Sequence, residues 1–189
     1  MKNLETMQFG ERQGRLSFPS DKRAMLLLNE RVVTIPASEE EGMEREEQTV
    51  YEYDGMFVDV AMPTEEAVLN SVKALKTDEL MEYDSSVNVN EFTYSGTKMW
   101  LNKATRTWLL MRFNAEQAKG IETTNLWYNG VEYILNIADG ISMLYTIERY
   151  ASMCYDNTQT HMKAISELKT IEKVVAYDYT NNYPDKLVF

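Results

Sequence analysis

Two rows of residues spaced by seven run through the last third of the chain, Leu144, Ala151, Thr158 and Ile165 in one and Ile147, Cys154, His161 and Leu168 in the other. A side chain that recurs every seven positions returns to the same side of an α-helix after two turns. No Gly or Pro stands between Leu144 and Leu168. The pattern therefore predicts one long helix from about Asp139 onward in place of two short ones. Such a stripe serves either docking onto the helix's own domain or a coiled-coil seam with a second chain, and docking is the commoner use.

Upstream, the signals alternate between strand and helix, which predicts an α+β fold. Met25 to Leu28 and Val32 to Ile35 flank Asn29-Glu30-Arg31 and read as a first hairpin. A second hairpin is expected across Asp54-Gly55, because both central positions of a primed turn need positive φ. Between them, residues 37–48 carry six glutamates and read as a solvated loop. Thr64 with Glu65 and Glu66 predicts a helix start, with Val68, Leu69, Val72 and Leu75 on one stripe. Ser95-Gly96 predicts a third hairpin that delivers Trp100 and Leu101 to the core, and Asn102 caps a helix over 103–119 with a broad apolar set that includes Trp108, Met111 and Phe113. Asn129-Gly130 predicts a fourth hairpin before the long helix. The expected organisation is an N-terminal attachment region, 1–80, with β-hairpins and one helix, and a hairpin-helix-hairpin-long-helix domain, 81–189, whose extended C-terminal tail packs back onto it.

Composition excludes several classes of function. A net charge of −11, with 19 Lys and Arg scattered along the chain, repels polyphosphate, so no nucleic-acid partner is expected. No apolar run approaches the roughly 20 residues of a membrane-spanning helix, and the N-terminus has no signal-peptide pattern, so no membrane partner and no export by that route are expected. One cysteine rules out an internal disulfide, and one histidine does not make a Cys/His zinc cage. Neither a metal nor a cofactor is expected. Cys154 and His161 stand two helical turns apart, about 10 Å at 1.5 Å per residue, too far for direct thiolate activation. No Gly-rich phosphate loop, nucleophile elbow or His-Glu-x-x-His run occurs, so no enzymatic activity is expected.

Two further readings stay open. A small carboxylate hydrolase acting on a cell-surface polymer would hold two facing acids, one with a raised pKa. An acidic host-directed regulator would use 39–47 as a polyanion mimic. The aromatic residues are the stronger lead, because Tyr and Trp in surplus anchor protein partners or stack on sugars. Partner-binding side chains are expected at Trp100, Trp127, Tyr128, Tyr177, Tyr179, Tyr183 and Phe189. A sugar site also needs converging polar side chains, and sequence spacing does not place those.

Five blocks in order carry a resemblance. They are Glu82-Tyr83-Asp84-Ser85-Ser86 with Val89-Asn90-Glu91-Phe92, Trp100-Leu101-Asn102-Lys103-Ala104-Thr105-Arg106, Gly120-Ile121-Glu122-Thr123-Thr124-Asn125-Leu126-Trp127, Tyr150-Ala151-Ser152-Met153-Cys154-Tyr155-Asp156-Asn157-Thr158, and Ala176-Tyr177-Asp178-Tyr179-Thr180 with Tyr183-Pro184-Asp185-Lys186-Leu187. Through them, 81–189 resembles a phage and prophage family of unknown function encoded near tail-fibre genes in gut anaerobes. The closing Tyr-Pro-x-Lys-Leu segment is also similar to the ends of tail-fibre assembly proteins. The resemblance implies a virion-associated or tail-assembly role, with phage structural proteins of the tail or fibre as partners and a possible homo-oligomer. It brings no catalytic residues, and residues 1–80 fall outside it.

Overall fold

Period-two patterning in the first sixty residues produces strands, which are seen in the computed structural model of the chain; it describes residues 1–40, 43–45 and 47–189. The strands are β1 (Glu5–Phe9), β2 (Leu16–Ser20), β3 (Arg23–Ile35), the short pair β4 (Ser38–Glu40) and β5 (Met43–Arg45), and β6 (Gln48–Asp59). Four of them make an antiparallel sheet in the order β1-β6-β3-β2. The chain is α+β, as the sequence predicts.

Two expected turns are strand interiors. Asn29-Glu30-Arg31 does not reverse the chain; β3 runs straight through it, and the register with β6 shifts between Leu28 and Arg31. Asn29 takes φ 51°, so its tolerance of the left-handed region makes a bulge where a turn was expected. Asp54-Gly55 is likewise inside β6, with Gly55 opposite Leu27 on one side and Glu5 on the other. A Cβ at Gly55 would sit 2.5 Å from Met7 Sδ and 2.9 Å from Leu27 Cδ2. The glycine is there for close approach of three strands, and no positive φ is involved. The solvated loop expected over 37–48 also differs, since Ser38 pairs with Arg45 and Glu40 with Met43 in an antiparallel ladder. Glu41, Gly42 and Glu46 of that segment lie outside the described residues.

α1 (Glu65–Ser85) starts where the Thr64 cap predicts, with the Thr64 hydroxyl accepting from the Ala67 amide, and runs ten residues past Leu75, where the apolar stripe read from the sequence ends. Beyond it come β7 (Phe92–Tyr94) and β8 (Thr97–Met99), α2 (Lys103–Ala118), β9 (Thr123–Tyr128) and β10 (Val131–Asn136), α3 (Ile137–Glu167) and α4 (Ile171–Ala176). The Asn102 side chain caps α2 by accepting from the Thr105 amide at 2.9 Å. Asn129 and Gly130 both take positive φ between β9 and β10, the primed turn expected.

The chain divides into two compact units, Met1–Glu79 with Lys163–Tyr177, and Leu80–Met162 with Asp178–Phe189. The sequence reading makes one cut, at 80/81; the structure also assigns 163–177 to the first unit, because Ile171 and Val174 of α4 are buried with the sheet residues Leu26, Met56 and Val58 and with Val68 and Val72 of α1. The core of the second unit gathers Phe92, Leu109, Phe113, Leu126, Ile137 and Ile147 from its hairpins, α2 and α3. Along α3, Leu144, Ile147, Cys154, Thr158, His161 and Ile165 are all buried within this one chain, so the seven-residue rows are a docking stripe. The tail packs back as expected: the Thr93 amide donates to Leu187 O and the Phe189 amide to Thr93 O, which lays the last residues along β7 in parallel. No described helix is long and apolar enough to cross a membrane.

Candidate binding surface

The apolar set of α2 is too wide for one face, and the structure divides it. Leu109 and Phe113 point into the core, together with Arg106, whose guanidinium donates to Leu101 O at 2.6 Å and to Glu148 at 2.8 Å. Ala104, Trp108, Met111 and Ala115 are exposed instead. Their spacing of four, three and four is that of a helix-packing seam. Trp108 is 58% exposed and Met111 70%.

The β9–β10 hairpin, which Arg112 of α2 reaches, carries further exposed apolar side chains. Register places Leu126 opposite Tyr133 and Thr124 opposite Leu135 on its inner side. The alternate positions, Trp127 opposite Glu132 and Asn125 opposite Ile134, therefore face out. Trp127 is 59% exposed and Ile134 76%. Arg112 ties the hairpin to the helix. Its guanidinium lies 5.7 Å from the Trp108 ring centroid and donates to Thr124 Oγ1 at 2.8 Å, to Asn125 Oδ1 at 2.7 Å and to Glu116 at 2.8 Å. The hydrogen bond from Arg112 holds the Glu116 carboxyl below its ordinary pKa. The guanidinium is thus held by partners on both α2 and the hairpin while it lies over one face of the indole, and a shallow depression lined by Arg112, Ile121 and Ile134 adjoins it.

The seven aromatic residues singled out in the sequence are dispersed. Trp127 lies on this surface. Trp100 is half-buried, edge-on to Phe92 and Tyr150 and beneath the Arg106 guanidinium. Tyr128 is half-buried, its hydroxyl accepting from the Trp100 amide. Tyr183 is wedged against Tyr83, its ring stacked on His161 and its hydroxyl bonded to Thr158, which donates to Asp84. Tyr179 packs edge-on to Tyr83, and Phe189 edge-on to Phe92. Tyr177 is half-buried in the first unit. Trp108, Met111 and Arg112 were not among the expected contacts, although the signal for Trp108 and Met111 was visible in an apolar arc too broad for a single core face.

A second depression, in the first unit, holds the acids Glu30 and Glu172 near Tyr53 and Arg15. The bulge at Asn29 aims Glu30 there. A hydrogen bond from Arg12 lowers the Glu30 pKa, and a backbone hydrogen bond and Arg15 lower that of Glu172. Both carboxylates are thus held ionised, which is not the split pair that acid–base hydrolysis uses. Cys154 is buried, and burial pushes its thiol pKa up, away from nucleophilic thiolate. Among the described residues no group of three or more His, Cys, Asp and Glu is arranged to hold a metal ion. No protein-family model, no curated protein and no solved structure matches this chain.

Proposed function

We propose that this chain is a non-enzymatic binding protein of a bacteriophage particle or of its tail assembly, and that it holds a structural protein of the tail or tail fibre against the surface that runs from Trp108 to Trp127. One observation carries the adhesive part of this reading: α2 fills its core with one face and presents a second, seam-spaced apolar face outward. The phage context rests on the motif blocks within 81–189.

Burial of the two indoles and their aliphatic neighbours would contribute about 25 cal/mol per Å² before ordering costs. The Arg112 guanidinium over one face of Trp108 restricts that indole and so lowers part of those costs. Trp and Arg at the centre of such a patch are the residue types that dominate interface energetics. The acidic remainder of the surface, in a chain of net charge −11, disfavours contact with other acidic proteins.

The test mixes the purified chain with phage tail and tail-fibre proteins from the same source and measures complex formation by light scattering and interferometry. A stable complex is expected, and Trp108→Ala or Trp127→Ala should each weaken it by about thirtyfold, equivalent to the roughly 2 kcal/mol of a hot-spot side chain. A chain that forms no complex with any of them would overturn the proposal.

A further inference from the structure

We propose that an open groove on the second unit, separate from the Trp108 surface, binds a short uronic-acid oligosaccharide. The groove lies between α2 and α3 and has a volume of about 660 Å³, inside the range of 300–1,000 Å³ usual for ligand sites. Asn114 and Gln117 form its α2 wall. They stand about 120° and 180° round the helix from Trp108 at 100° per residue, so this is a different face. The α3 wall is a helical stripe of Ala138, Ser142, Tyr145, Thr146 and Arg149, the polar counterpart of the buried stripe beside it.

Three features of the lining select the ligand. First, the Tyr145 ring is 59% exposed and offers a flat apolar face to a sugar ring. Second, the side chains of Asn114, Gln117, Ser142 and Arg149 make no hydrogen bond among the described residues, whereas Arg106, Thr107 and Arg112 on α2 are all engaged. Solvent-exposed amide, hydroxyl and guanidinium groups without a partner among the described residues therefore line the same groove as one aromatic ring, the combination that hydroxyl-rich ligands need. Third, none of the described lining residues is a carboxylate, in a chain with 30 Asp and Glu, and the single lining charge is Arg149. A guanidinium fork matches a carboxylate in two parallel hydrogen bonds, which favours an acidic sugar over a neutral one. From Ala138 to Arg149 the stripe extends about 16 Å at 1.5 Å per residue, enough for a short chain of sugars. Ile141 and Ala138 are the aliphatic lining residues and extend the apolar surface offered by the Tyr145 ring.

The inference does not depend on the docking surface, and the two are separable in one experiment. The isotope-labelled full chain is titrated with trigalacturonate and with maltotriose while amide shifts are followed. Saturable shifts confined to Asn114, Gln117 and 138–149 are expected with trigalacturonate, at a Kd of about 1 mM or tighter. Maltotriose should bind at least about tenfold more weakly, Arg149→Gln should remove that difference, and Tyr145→Ala should abolish detectable binding of both. Both side chains are exposed, and unchanged dispersion of the remaining spectrum shows that the variants fold. Equal affinity for the two sugars, shifts centred on Trp108 and Trp127, or no saturable shift up to about ten times that concentration would each overturn the proposal.

Discussion

Gly140, in the first turn of α3, sets two familiar effects against each other. Replacing a helical glycine by alanine stabilises by about 0.8–1.0 kcal/mol through backbone entropy alone. Here the added Cβ would lie 2.6 Å from Leu135 Cδ1 and 2.9 Å from Phe113 Cε2, and both side chains are buried in the core. Overpacking costs about 1–3 kcal/mol, so the clash wins. Gly140→Ala should lower the thermal midpoint by several degrees, and a raised midpoint would show that the core yields freely. Tyr183 gives a second case. Its hydroxyl bond to Thr158 lies in a part-buried network with Asp84, so Tyr183→Phe should destabilise by about 1 kcal/mol in urea titration. The same tyrosine shows why single residues were hard to assign: an amphipathic side chain reads equally well as a partner anchor or as a satisfied internal one. Trp100, Tyr128 and Tyr183 are engaged internally, and only their neighbours in space reveal it.

At the scale of elements, the legible parts were those specified locally. The hairpin at Asn129-Gly130, the Asn102 cap and the long helix each follow from a few adjacent residues or from one period. The hairpins expected at Asn29 and at Asp54-Gly55 failed for a reason outside their own segments. β6 lies between β1 and β3, so Gly55 answers to Met7 and Leu27, which are distant in sequence. Likewise α2 was legible as a helix, but not which of its apolar positions would be covered, since that depends on which positions the facing hairpins and α3 occupy. The tail is held by a short ladder of hydrogen bonds to Thr93 and Ser95 together with side-chain contacts. Amide exchange tests how it is held. The Thr93 and Ser95 amides should be protected in the native chain and should exchange faster in Tyr183→Ala, with β3 and β6 unaffected. Equal exchange in both would mean that the tail is anchored by Phe189 against Phe92 instead.

For the whole molecule, charge sets how stability responds to pH. The carboxyls of Glu30, Asp54, Glu91, Glu116 and Asp178 are held below their ordinary values of 3.8 or 4.5, chiefly by side-chain hydrogen bonds from Arg12, Asn29, Lys98, Arg112 and Thr180 in turn. Stabilisation of that kind is complete above the unfolded-state pKa and is lost as pH falls through the folded-state value. Burial raises the Tyr150, Tyr183 and Cys154 pKa values above their ordinary 10.0 and 9.0, so their contribution is complete below those values and is lost as pH rises. Urea midpoints should therefore be flat between about pH 5 and 8 and fall on both sides. A maximum near the pI of 4.6 would contradict this. The central claim, adhesion through the Trp108–Trp127 face, is tested most directly by cross-linking mass spectrometry on particles and assembly intermediates of the phage proposed as its source. The account predicts cross-links from Lys103 and Lys119, at the two ends of α2, to a tail or fibre protein, and their loss in a Trp108→Ala, Trp127→Ala double variant. Complete absence of the chain from particles and intermediates, or cross-links unchanged in that variant, would contradict it.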